Sequence, residues 1–171
     1  VIMSVYNEEE KWLRESIESI INQSFQDYEF IIILDNPVEN KLKSIISEYA
    51  SNDSRIRFYI NDINRGLVYS LNRGLELAKG NFIARMDADD ISHPDRLKNE
   101  ISVLYKENID LVGTMIDIIG ENGEALGGIT PYGLTIKSCI ASLQYKNCIV
   151  HPTWMFKKSI VEKYGGYNNI M

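Results

Sequence analysis

The stretch "ARMDADDISHPDRL" (84–97) carries four aspartates in nine positions, Asp87, Asp89, Asp90 and Asp95, directly behind the apolar run "NFIA". Carboxylates this close repel one another unless something positive joins them. No lysine cluster accompanies them. A divalent cation would do so, and hard oxygen ligands select Mg²⁺ or Mn²⁺. Such ions usually accept one or two protein carboxylates and fill the remaining positions with water and substrate phosphate. The pattern therefore points to a phosphorylated ligand. The plain alternative is a capped helix start beside a solvated acidic loop. A calcium loop is excluded, because Ile91 and Ser92 stand where an oxygen ligand and a glycine are needed. An aspartyl-phosphatase site fits poorly, because its acidic pair belongs near the first strand of the domain.

Other polar residues close apolar runs in the same way. Asp35 ends "IIIL" and could accept a hydrogen bond from a base N–H. Tyr6 could stack on a base and Ser4 could bond to it. Arg65, in "NRG", is a candidate phosphate partner. Each has a plainer reading: a turn aspartate before Pro37, a core-edge tyrosine, a surface arginine.

The elements that would position these residues alternate. "VIMSV" reads as a short buried strand. "NEEEKWLRESIESIINQSF" reads as a helix with Leu13, Ile17, Ile20 and Ile21 on one face, Asn7 as N-cap and acidic residues in its first turn. "YEFIIIL" is a strand apolar enough to be covered on both faces. A helix in "ENKLKSIISEYA", a strand in "RIRFYI", a helix in "LVYSLNRGLELA" and a strand in "GNFIARM" follow. "HPDRLKNEISVLYKE" is predicted as a helix with Pro94 near its first turn. Then come "DLVGTMIDIIG", a turn at "ENGE", a helix in "YGLTIKSCIASLQY", a strand in "CIVHPTWMF" and a short helix in "KSIVEKY". Four strands alternating with helices imply an α/β fold with a parallel sheet and right-handed crossovers. Ligands of such sheets bind outside the carboxyl ends of the strands. "SVYN", "LDN" and "MDADD" would meet there.

Composition narrows the class. The chain has 171 residues, is 44% hydrophobic and 25% charged, and has a net charge of −6. That suits one soluble domain with a core and argues against a nucleic-acid partner. No apolar run approaches the roughly 18 residues of a membrane span. The opening is not a signal peptide. Cys139 and Cys148 match no zinc or redox spacing and fit a reducing compartment. The sequons "NQS" and "NDS" read as chance. The chain begins on Val1 inside a strand-like run and stops at "GGYNNIM", which reads as a piece of a longer protein.

Four stretches, "VIMSVYNEE", "SIINQSFQDYEFIIILDNP", "NRGLVYSLNRGLELAKGNFIARMDADDISHPDRL" and "HPTWMFKKSIVEKYGGY", together resemble the family 2 glycosyltransferases of GT-A fold. They run nearly end to end, in the family's order. The resemblance implies a doubly wound, mostly parallel sheet, with residues 1–95 as the nucleotide-sugar-binding half and 96–171 as the start of the acceptor half. It assigns Ser4, Tyr6 and Asp35 to the nucleoside of a UDP-sugar. Asp87 and Asp89 become the DxD motif, Asp89 as ligand of Mn²⁺ or Mg²⁺ and Asp87 as a ribose or donor-sugar contact or second ligand. "LDNP" departs from the commoner "DDGS": Leu34 replaces the first aspartate and Asp35 keeps the second. With "HPTWMF", that wording is similar to the subgroup that builds bacterial exopolysaccharide and O-antigen units. The implied partners are a UDP-sugar donor and a saccharide or lipid-linked acceptor. The implied location is the cytoplasm or the inner face of the cell membrane, with peripheral membrane association of the full-length protein.

The family transfers with inversion, and its catalytic base usually lies in an acidic motif beyond "GGY". No such motif is present, so the base is expected past Met171 and the 171 residues alone are expected to lack transfer. Asp117 and Glu121 do not match the motif, and Asp90 is only a fallback. His151 falls where the family lines the acceptor side. A binding module without transfer activity is the main alternative, and a metal-dependent phosphohydrolase a remote one.

Overall fold

The computed structural model describes residues 1–121, 123–129, 136–143, 145 and 147–168. The alternation expected from the sequence is present. Strands β1 (Ile2–Val5), β2 (Phe30–Leu34), β3 (Ile56–Ile60) and β4 (Phe82–Asp87) are separated by helices α1 (Glu10–Ile21), α2 (Asn40–Asn52) and α3 (Leu67–Leu77). Helix α4 (Arg96–Glu107) and strand β5 (Leu111–Val112) follow. Strands β6 (Ile116–Ile119) and β7 (Ala125–Ile129) pair with each other in a separate two-stranded ladder among the described residues. Helix α5 (Ile136–Leu143), a 3₁₀ turn at His151–Thr153, strand β8 (Met155–Lys157) and helix α6 (Ser159–Tyr164) complete the order.

The main sheet runs β3-β2-β1-β4-β8-β5. Its first four strands are parallel, and β8 lies antiparallel between β4 and β5. The chain winds outward from β1 through β2 to β3, then returns to the other side of β1 with β4. The strand order therefore reverses between β1 and β4, the place where open α/β sheets bind ligands.

All five residues of β2 are buried, as an interior parallel strand requires. One face of the sheet packs Met3, Val5, Ile32, Leu34 and Met86 against Leu13, Ile17 and Ile20 of α1 and Leu42, Ile45 and Ile46 of α2. The other packs Ile2, Ile31, Ile33 and Ile83 against Leu71 and Leu75 of α3. A Cβ on Gly74 would stand 2.5 Å from Ile2 Cγ2, so a glycine inside α3 lets the helix lie close on β1.

Several boundaries differ from expectation. Asn7 does not cap α1: the N-cap is Glu9, because residues 6–9 form a loop that turns before the helix begins. Helix α4 starts at Arg96 with Asp95 as N-cap, leaving Pro94 in the preceding turn. The stretch 110–120 holds two strands, β5 pairing with β8 and β6 pairing with β7. In "CIVHPTWMF" only Met155 and Phe156 are strand, since Pro152 lacks the N–H a ladder needs and His151–Thr153 close a 3₁₀ turn. The expected turn at 121–124 joins β6 to β7, with Gly123 N–H donating to the Gly120 carbonyl at 2.9 Å; Asn122 lies outside the described residues. So do residues 132–135 and Gln144 of the helix expected over 132–145. Among the described residues no helix is long and apolar enough to cross a membrane.

Candidate functional site

The site is built at the carboxyl ends of β1, β2 and β4. Parallel pairing sets Ser4 beside Ile33 on one side and beside Asp87 on the other. Asp35 follows β2 directly, with its N–H donating to the Val5 carbonyl at 2.7 Å. Side chains alternate along strands, so Ser4, Asp35, Arg85 and Asp87 share the face covered by α3. The sheet also has an open depression of about 850 Å³, but it is lined by Val1, Phe25, Arg55 and Tyr105 at the opposite edge. Ligands of this architecture bind at the carboxyl edge.

Asp35 is 3% exposed and almost fully engaged. Its Oδ1 accepts from Asn61 Nδ2 at 2.6 Å and from Arg65 N–H at 2.9 Å, and its Oδ2 accepts from Gly66 N–H at 2.7 Å. Gly66 has φ +84, a left-handed backbone that suits glycine and that aims its N–H at the carboxylate. A carboxylate offers about four acceptor positions, so about one is left, on Oδ2. Asn61 also bonds Ser70 Oγ at 2.8 Å and accepts from Arg73 Nη1 at 2.6 Å. Asp35 thus fixes the 61–66 loop and the start of α3, a role sequence reasoning did not find. Asn61, Ser70 and Gly66 are far apart in sequence from Asp35, and nothing local announces them.

Tyr6 is 49% exposed, and its ring is open to solvent. Its N–H is held by Glu8 Oε2 at 2.8 Å and its carbonyl by Asn36 Nδ2 at 3.3 Å, so the backbone beneath the ring is fixed. The Arg65 guanidinium is exposed. It pairs with Asp62 at 2.8 Å and lies 5.4 Å from the Tyr69 ring centroid. A phosphate would have to exchange with Asp62 to use it.

The acidic loop is pinned from beneath. Ser16 Oγ donates to the Asp87 carbonyl at 2.8 Å. Ser92 N–H donates to Ser19 Oγ at 3.0 Å, and Gln23 Nε2 donates to the His93 carbonyl at 2.7 Å. Of the four aspartates, Asp95 is set apart, because it stands at the N-cap position of α4 and its carboxylate accepts from Ser24 Oγ at 2.7 Å. Ala88 is buried, while Asp89 and Asp90 project outward. Neither Asp89 nor Asp90 forms an ion pair among the described residues. Partial desolvation raises the Asp90 carboxyl above its ordinary range, and the charges of Asp87 and Asp89 add to the rise. Burial raises Glu8 in the same direction, with Asp89 contributing. This crowding is what a cation would relieve. No three His, Cys, Asp or Glu side chains among the described residues form a closed metal cage. The donor set fits an ion that takes one or two carboxylates and completes its shell with diphosphate and water.

Asp87 is held differently. Arg85, two residues earlier on β4, donates from Nη2 to Asp87 Oδ1. Its signal in the sequence was a charged residue inside the apolar run "NFIARM". His151 lies over the same region: its Nε2 is 3.2 Å from the Tyr167 hydroxyl, and its ring meets Trp154 edge-on at 4.7 Å. Burial, then the charge of Arg85, lowers His151 to about 4, and burial raises Tyr167 to about 12. Both are neutral near pH 7. A histidine with so low a pKa is a poor general base. Asp117 stands on the β6–β7 hairpin, and the Glu121 carbonyl accepts from Lys11 Nζ at 2.7 Å.

Residues 1–165 match the family described as Glycosyl transferase family 2. The chain belongs to that family. It is 42% identical over 166 residues to an uncharacterized glycosyltransferase of Methanocaldococcus jannaschii, covering 95% of this chain and 57% of the relative. It is 36% identical over 168 residues to the O-antigen biosynthesis glycosyltransferase WbnJ of Escherichia coli, covering 98% of this chain and 64% of the relative. This family 2 chain thus spans about three fifths of the length of those relatives. Its fold is GT-A. It is similar to S. aureus TarS 1–349 in complex with UDP-GlcNAc, at TM-score 0.73 and 21% identity, covering 95% of this chain and 46% of that one. It is equally similar to the mannosyltransferase PcManGT of Pyrobaculum calidifontis in complex with GDP-Man and Mn²⁺, at TM-score 0.73 and 16% identity, covering 99% and 47%.

Proposed function

We propose that this chain is the donor-binding part of an inverting glycosyltransferase that moves a sugar from a UDP-sugar to a saccharide or lipid-linked acceptor in surface-polysaccharide synthesis. The observation that carries the reading is the convergence of Ser4, Asp35, Asp87 and Asp89 at one sheet edge, beside the open ring of Tyr6. The O-antigen relative supports the pathway class. Residues 1–95 supply the donor side and residues 96–171 begin the acceptor side, the work being done in the cytoplasm or at the inner membrane face.

The proposed roles follow from what each side chain has left to offer. The ring of Tyr6 is a stacking surface for the base. The remaining acceptor position on Asp35 suits the N3–H of uracil, which cytosine lacks. Arg65 exchanges Asp62 for a diphosphate oxygen. Asp89, with Asp87 as the second candidate, would hold Mn²⁺ or Mg²⁺, and such an ion when bound neutralises charge on a departing diphosphate. Asp87 contacts the ribose or the transferred sugar. The acceptor hydroxyl attacks the anomeric carbon from the side opposite the diphosphate. Its proton passes to a carboxylate base, which we place in the part of the relatives' length this chain does not span. His151, neutral and tied to Tyr167, lines the acceptor side.

The test is a product assay on the full-length protein with a panel of UDP-sugars and GDP-sugars and with simple or lipid-linked acceptors. Transfer from a UDP-sugar supports the reading. Nucleotide-sugar binding without transfer would favour a binding module, and metal-dependent phosphate release without a sugar product a hydrolase.

A further inference from the structure

Arg85 is 3% exposed and lies on β4 in register with Ile2 of β1, on the strand that packs against the His151–Thr153 turn. Packing does not require it: the preceding position on the same face is the isoleucine Ile83. Its Nε–H and Nη1–H are buried and have no acceptor among the described residues. Burying a guanidinium with two unpaired donors is costly, and an apolar side chain would serve the fold better. Among the described residues the one anion it contacts is Asp87, through Nη2, while its charge also reaches Asp90 at longer range. The backbone around Arg85 is fixed as well, its N–H donating to the Trp154 carbonyl at 2.8 Å and its carbonyl accepting from Arg96 Nη2 at 2.6 Å. Asp87 and Asp89 are therefore unequal. Asp87 is half-buried, with Oδ1 tied from below, whereas Asp89 is exposed with no ion partner among the described residues.

We propose that Arg85 is a positioning residue that divides the work of the two DxD carboxylates. By holding Oδ1 of Asp87 it withholds that carboxylate from the divalent cation, presents Oδ2 to a hydroxyl of the transferred sugar, and leaves the cation to Asp89. This rests on the nucleotide-sugar reading of the same site.

The signs of the effects separate this role from general structural support. Replacing Arg85 by Met removes a positive charge next to the cation site and frees Asp87 to bind the ion. Affinity for Mn²⁺ alone should then rise, by about threefold or more. Affinity for a UDP-sugar relative to UDP, at saturating Mn²⁺, should fall by about fivefold or more, because Asp87 is no longer aimed. Arg85→Lys, which keeps the charge but can offer only one ammonium group, should lie between. Asp87→Asn in the presence of Arg85 should lower the UDP-sugar to UDP ratio while changing Mn²⁺ affinity by less than about twofold, unlike Asp89→Asn.

The experiment is calorimetry on the full-length protein with MnCl₂ alone, then with UDP and a panel of UDP-sugars. Tighter Mn²⁺ with a reduced sugar-to-UDP ratio in Arg85→Met supports the proposal. Weaker or unchanged Mn²⁺ affinity, or an unchanged ratio, overturns it. If Arg85→Met does not fold, Asp87→Asn decides: loss of Mn²⁺ binding as severe as in Asp89→Asn overturns the division of roles. A wild-type protein that binds neither UDP nor UDP-sugars overturns the donor-site reading itself, a result distinct from any of these.

Discussion

Asn61 donates its Nδ2 to the Asp35 carboxylate at 2.6 Å and through the same nitrogen reaches Ser70 Oγ at 2.8 Å. The strand-end aspartate is therefore both the candidate base reader and the anchor of the loop leading into α3. Asp35→Ala would leave Asn61 Nδ2 and the N–H groups of Arg65 and Gly66 short of an acceptor. A stability loss on the order of 2–4 kcal/mol is expected, because stranded buried donors cost more than the bonds themselves contributed. Urea denaturation checks it, and a loss below about 0.5 kcal/mol would show that the network is unimportant to the fold.

The same carboxylate should select the base. UDP is expected to bind more tightly than CDP, whose N3 carries no proton. Asn61→Ala keeps the carboxylate and should retain part of the preference, whereas Asp35→Ala should narrow the gap. Equal binding of UDP, CDP and GDP in competition titrations would remove Asp35 from the base site.

Arg65 stands outside the core, so Arg65→Ala should leave thermal stability nearly unchanged. Affinity for UDP should drop several-fold while affinity for uridine stays constant, since only the former has phosphate to replace Asp62. A parallel loss for both ligands would assign Arg65 to the loop and not to the phosphate.

The buried Glu100 and the half-buried His151 should give opposite pH slopes in stability. Burial raises Glu100, paired with Arg96 at 3.2 Å, to about 7. Its protonated form favours the fold, so its contribution is full below the ordinary carboxyl range near 4.5 and is lost as pH rises through 7. His151 is lowered from about 6.5 to about 4, so its contribution is full above 6.5 and is lost as pH falls toward 4. The two oppose each other between about 4.5 and 6.5. Glu100→Gln should make stability rise more steeply with pH across that window, and His151→Phe should make it fall. Denaturation midpoints at half-unit pH steps would show this, and unchanged slopes in both variants would contradict the burial assignment.

What the sequence made legible follows the range of the interactions. The apolar run "FIIIL" and the helical spacing of Leu13, Ile17 and Ile20 are local, and they led to the parallel sheet and its covering helices. The strand ends at Ser4, Asp35 and Asp87 were legible because a parallel sheet brings carboxyl ends to one edge. Asn7 misled as a cap because the loop backbone, not residue type, fixed where α1 begins. The pairing of β5 within residues 110–120 depended on β8, more than 30 residues later. The bonds from Asn61, Ser70 and Gly66, and the hold of Arg85 on Asp87, depend on side-chain direction across strands, which composition and periodicity do not encode. Asp95 was grouped with the acidic cluster by sequence proximity, yet it bonds to Ser24 instead.

We propose that Asp89, outward-facing beside Asp87 and Asp90, would hold a divalent cation that in turn holds a nucleoside diphosphate. The most direct measurement is the Kd of UDP by calorimetry with Mn²⁺ and then with EDTA, on wild type and Asp89→Asn. The account expects chelation to weaken UDP by at least about tenfold, or 1.4 kcal/mol, and Asp89→Asn to bind as weakly in Mn²⁺ as the wild type does in EDTA. Equal UDP affinity with and without the ion, or full Mn²⁺ dependence retained in Asp89→Asn, would contradict it.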